Sequence, residues 1–89
     1  RKAKDSLGKK ADRQAARIAA AQARQVELLA AGAKDPLLCS ALQDGRKEHP
    51  AAWSKARQRA EYDAQRPSSA NYQQALVTLG AMQAVEAMG

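Results

Sequence analysis

The sequence predicts an all-α fold, and three observations carry that prediction. Alanine supplies more than half of the 45% hydrophobic fraction, and alanine is the strongest helix former. Strand-forming residues are scarce: there is no Phe, one Trp, two Tyr and a single Ile. Apolar residues recur at spacings of three and four and never alternate over a strand's length. The expectation is three or four Ala-rich amphipathic helices. They would form either a small bundle or extended helices packed on partner chains.

Residues 1–8 read as a flexible basic arm, closed by Gly8. A single helical domain is expected over 9–89, with helices at about 9–33, 36–44, 50–66 and 69–88. In the first helix, Ala11, Ala15, Ile18, Ala19, Gln22, Val26, Leu29, Ala30 and Ala33 share one broad face at 100° per residue. Lys10, Arg13, Arg17 and Arg24 form a narrow stripe on the other side. Leu28 falls inside that stripe, where no core accounts for it. Gly32 is a stop signal.

Asp35-Pro36 restarts the chain, since Asp is a good N-cap and Pro is favoured at the first helical position. Leu37, Leu38, Ala41 and Leu42 then form an apolar patch, and Gly45 is expected to end the helix. Pro50 starts the third helix and Pro67 stops it. Trp53, Ala56, Ala60 and Ala64 share one of its faces; Lys55, Arg59, Tyr62 and Arg66 share roughly the opposite one. Ser68 or Ser69 would cap the fourth helix. Tyr72, Ala75, Leu76, Leu79 and Met82 line one side of it, and Val77, Ala81, Ala84, Val85 and Met88 cover much of the rest. A helix apolar nearly all round is expected to be buried nearly all round.

The bulk numbers bound the function. Eighty-nine residues make one domain at most. An Ala-dominated interior is weak, because one methyl-sized group contributes roughly 0.8 kcal/mol when buried. Helices of this kind gain stability by packing on something else, so the shortage of bulk points to a missing partner. The net charge of +6 and the pI near 9.9 favour acidic partners. The lone Cys39 excludes an internal disulfide and suits a reducing compartment such as the cytoplasm, or a particle assembled there. Its leucine neighbours mark it as a small apolar residue. A chain opening on Arg1 is expected to be a processed form or a fragment.

No residue pattern points to catalysis or to a cofactor. His49 is the only histidine and stands in a charged turn. No metal-binding, phosphate-cradling or nucleophile motif occurs. Glu61 and Asp63 are two apart on a helix and point apart, so they make no acid/base pair.

Two function classes remain. The first is a non-enzymatic structural or assembly subunit of a larger complex, of which a phage particle or similar machine is one example. It would dock on other protein subunits, copies of itself or different chains, through Ala-rich faces and the last helix. The docking residues would be Tyr72, Leu76, Leu79, Met82 and Val85, with Gly80, Ala84 and Ala87 admitting a close neighbour. The alternative is a small basic helical nucleic-acid-binding protein. Its contacts would be Lys2, Lys4, Lys10, Arg13, Arg17 and Arg24, then Lys55, Arg59 and Arg66 around a stacking Tyr62. The same cations would serve an acidic partner. A membrane span is not expected, because Gln73, Gln74, Thr78, Gln83 and Glu86 interrupt the last helix.

Overall fold

A computed structural model describes the backbone of residues 2–88 and the side chains of residues 12–88. Four helices follow one another: α1 (Lys2–Ala33), α2 (Pro36–Glu48), α3 (Pro50–Ala64) and α4 (Tyr72–Ala87). The described residues contain no strand. The fold is all-α, as the composition predicts.

The helix boundaries differ from the expected ones where glycine or serine carried the argument. α1 begins at Lys2 and passes through Gly8. One glycine costs about 1 kcal/mol in a helix, too little to stop a long helix of good formers. α2 likewise continues through Gly45 to Glu48. It stops at His49 because the residue before a proline is pushed out of the α region; His49 takes φ −136° and ψ 69°. The start of α2 is as expected: Asp35 accepts a hydrogen bond at Oδ1 from the Leu38 N–H (3.1 Å), and Pro36 follows. α3 ends at Ala64, short of Arg66. α4 starts at Tyr72, later than Ser68 or Ser69 would place it. Ser69 instead shapes the preceding turn, its Oγ accepting from the Asn71 N–H (3.2 Å) and its carbonyl from the Tyr72 N–H (3.1 Å).

α4 is the centre of the molecule, with α1, α2 and α3 each packed against it. Ala75, Leu76, Leu79, Gly80, Ala81, Met82 and Val85 are buried, so this all-round apolar helix is buried on most of its circumference. Ala60 and Ala64 of α3 and Gly32 of α1 complete the buried set, and Leu28, Leu29, Leu42, Trp53 and Tyr72 pack around it.

So little bulk suffices because two helices meet backbone to backbone. A Cβ on Gly32 would stand 1.8 Å from the Val77 carbonyl oxygen, and one on Gly80 would stand 1.9 Å from that of Leu29. Any side chain at either glycine would push α1 and α4 apart. At this distance backbone atoms fill space that larger side chains would otherwise have to fill. The shortage of bulk read from the sequence therefore does not leave α4 uncovered.

The crossing also selects which face of α1 is used. Gln25, Leu28 and Leu29 turn inward with Gly32, while Val26 stays 65% exposed. Leu28, stranded in the cationic stripe on projection, is part of the core packing. Gln25 donates from Nε2 to the Tyr72 hydroxyl (2.7 Å), joining α1 to the start of α4. The broad alanine face lies beside this contact.

The molecule is long, with extents of 64 × 21 × 19 Å. Its radius of gyration is 17.6 Å, where a compact domain of this length has about 12 Å. The cause is α1, about 48 Å long at 1.5 Å per residue. Among its described residues, those that pack on the body lie in its C-terminal third. Residues 12–24 are exposed without exception.

Candidate functional site

The projecting part of α1 is amphipathic yet covered on neither side. Ala15, Ile18, Ala19 and Gln22 lie on one face, and the face continues through Val26, Ala30 and Ala33. Ile18 is 53% exposed and Val26 65%, two of the few large apolar side chains left open. Where α1 reaches the body, the face becomes one wall of an open groove of about 410 Å³. Val26, Leu29, Ala30 and Ala33 form this wall, and Gly80, Gln83 and Ala84 of α4 form the other. A second apolar depression adjoins it around Ala33, Ala84, Pro36, Cys39 and Met88. One largely apolar strip therefore runs from the arm down onto α4 and α2, with Lys34 the one charged residue lining its second depression. Its floor is alanine and glycine, so another helix could approach closely.

The residues expected to dock a partner are placed differently. Leu76, Leu79, Met82 and Val85 are buried within the chain's own bundle, and half-buried Tyr72 is hydrogen-bonded to Gln25. Gly80 does admit a close neighbour, and that neighbour is α1. The small residues of α4 read correctly as a close-packing site; its occupant is intramolecular. Gly80 and Ala84 also line the outside groove.

The cationic residues whose side chains are described do not gather into one cluster. Lys2, Lys4 and Lys10 lie outside the residues whose side chains are described. Arg13, Arg17 and Arg24 are exposed, and Arg24 reaches Glu27 at 3.6 Å. On α3, Lys55 is exposed and Arg59 stands 4.0 Å from Asp63. The Arg66 guanidinium lies over the Tyr62 ring, 5.1 Å from its centroid, and hydrogen-bonds the Tyr62 hydroxyl. That ring face already has a cation on it. Among the described residues α1 and α3 do not touch, and α4 packs against both, so the two stripes sit on separate helices that share no contact.

A polar clasp escaped the sequence reading. Arg57 donates from Nε and Nη2 to the two carboxylate oxygens of Glu86 (3.0 and 3.2 Å), and from Nη1 to Glu61 (2.7 Å). The Arg57 hydrogen bonds hold the Glu86 carboxyl below its ordinary range, against the opposing effect of partial burial. The same hydrogen bonds raise the already high pKa of Arg57. Arg46 of α2 lies 5.7 Å from the Trp53 ring centroid and adds favourable charge near Glu86. The signal was available: Arg57 falls at helical spacing between Trp53 and Ala60, and Glu86 is the single charge after Pro67.

Among the described residues no cluster of His, Cys, Asp or Glu could hold a metal ion, and no helix is long and apolar enough to cross a membrane. Cys39 is half-buried, its thiol pointing at the Gly32 and Ala33 carbonyl oxygens (3.5 and 3.7 Å) at the end of α1. Comparison of the chain with protein-family models, with curated proteins and with solved structures finds no match.

Proposed function

We propose that this chain is a non-enzymatic structural subunit that assembles into a larger complex by docking the alanine face of α1. One observation carries the reading. Residues 12–24 form three turns of amphipathic helix with nothing against them, and their apolar face continues into an apolar groove on the body. Isolated helices of this length are marginal in water. The packed segment after residue 24 supplies the nucleus from which the arm propagates, and a docked neighbour would supply the burial that it lacks. The face carries no charge, so it offers nothing to phosphate. The nucleic-acid reading must rest on the arginines, and those on α1 and α3 are held on helices that do not touch among the described residues.

The test compares two variants in the cells that make the protein. Ile18→Lys with Val26→Lys alters the face; Arg13→Glu with Arg17→Glu alters the stripe. Native size is read by size-exclusion chromatography of the extract. The expected result is a complex larger than the 9.5 kDa chain, lost in the face variant and kept in the stripe variant. Loss in the stripe variant alone, together with salt-dependent duplex binding by the pure protein, would replace assembly with nucleic-acid binding.

A further inference from the structure

We infer that the partner on this face is a second copy of the chain, with α1 pairing antiparallel to α1 about a twofold axis at Gln22. This rests on the assembly reading above and names its partner. Three observations converge on it.

The first is the spacing. About Gln22 the face is nearly mirror-symmetric along the sequence: Ile18 and Val26 lie four residues to either side, and Ala15 and Leu29 seven. In an antiparallel pair centred on Gln22, Ile18 of one copy faces Val26 of the other. The two large apolar residues of α1 that are exposed among the described residues then cover each other. Gln22 meets its own symmetry mate, and two side-chain amides can each donate to and accept from the other. A single polar residue inside an apolar seam is a known way to fix register. A twofold contact must be self-complementary in this manner.

The second is the groove. Antiparallel pairing lays the arm of each copy along Val26, Leu29 and Ala30 of the other, which is the wall facing Gly80 and Ala84. Arm and groove belong to one molecule but cannot reach each other within it, since the arm is the straight continuation of the wall. Two copies exchange them. The arginines permit this, because Arg13, Arg17 and Arg24 project on the opposite side of α1 from Gln22 at 100° per residue. Two cationic arms can therefore pair with their charges outward.

The third is area. The chain exposes 6809 Å², whereas a compact monomer of its mass exposes about 5,000 Å². The excess is about twice the roughly 800 Å² that each partner contributes to a standard stable interface.

The experiment uses the purified chain. Analytical ultracentrifugation from low to high micromolar concentration should give twice the 9.5 kDa monomer mass. Ile18→Lys with Val26→Lys should weaken the dimer roughly 100-fold or more, since every tenfold corresponds to about 1.4 kcal/mol and two buried pairs are lost. Register is read on a Cys39→Ser background. Under mild oxidation Gln22→Cys should cross-link two copies, and Ala15→Cys should not, because residue 15 faces Leu29 of the other copy. Equal cross-linking of both would show parallel pairing and overturn the proposal. A monomer at every concentration would also overturn it. If that monomer still enters a larger complex in cells through Ile18 and Val26, self-pairing falls and assembly with a different protein stands. If it does not, both fall.

Discussion

Residues 12–24 and 25–33 belong to one uninterrupted helix, yet one stretch is bare and the other is packed. The bare stretch is the richer in alanine. Alanine content therefore does not decide which part of this chain finds a core. Two other features do. The packed stretch has Leu28 and Leu29 to bury, and it has Gly32 against the Val77 carbonyl of α4, whose Gly80 meets Leu29 in turn. The bare stretch has a single bulky residue, Ile18, and no glycine facing another helix. Alanine writes the helix; glycine and leucine determine where it is held.

The largest expected effect breaks the packed side of this comparison. Gly80→Val places branched carbon where the Leu29 carbonyl already stands. Backbone cannot step aside as a side-chain tip can, so we expect a loss of about 3 kcal/mol or more. Gly45→Ala is the control. Nothing lies within 4 Å of its Cβ position, and it sits inside α2. It should stabilise by about 0.5–1 kcal/mol. Urea unfolding followed by circular dichroism measures both. Equal effects at the two positions would remove the backbone contact as the reason this core can be so small.

How much of this was legible follows from the kind of signal each residue carries. Helix type, the Asp35-Pro36 start and the burial of α4 were readable because propensity, capping and all-round apolarity are local. Gly8 and Gly45 misled because a lone glycine looks the same in a helix as at its end. Leu28 was legible only as an anomaly: projection ranks a face by its number of apolar residues, whereas packing chose the face with two leucines and a glycine. The occupant of the small residues on α4 was not legible. Gly80 announces that some backbone approaches, and only the chain's path shows that it is α1.

A smaller effect tests the polar clasp that ties α3 to α4. Glu86→Gln should cost about 1–2 kcal/mol at neutral pH, because a partly buried, bidentate, charge-assisted pair is lost. The sign of the pH dependence follows from the direction of the shift. Glu86 is held below its ordinary range when folded. Its contribution is thus complete above the unfolded carboxylate pKa, and it disappears as pH falls through the lower folded value. The parent and Glu86→Gln should converge in stability in acid and diverge towards neutrality. A constant difference across that range would show that Glu86 acts by packing alone.

The smallest expected effect tests the bare side. Ile18→Lys with Val26→Lys should change the unfolding free energy of the monomer by less than about 0.5 kcal/mol, the range of surface substitutions. The measurement must be made at high dilution, where any association is absent and only contacts within one chain are read. Both side chains are more than half exposed, and lysine keeps good helix propensity, so neither burial nor backbone preference predicts a loss. If the pair instead costs about 2 kcal/mol in the dilute monomer, Ile18 or Val26 must pack on the chain's own body. The arm would then fold back, the long shape would not persist in solution, and the face would be closed to any partner. If the cost is negligible when dilute and grows with protein concentration, the two parts of α1 are separated by function as well as by packing: residues 25–33 hold the subunit together, and residues 12–24 hold subunits to each other.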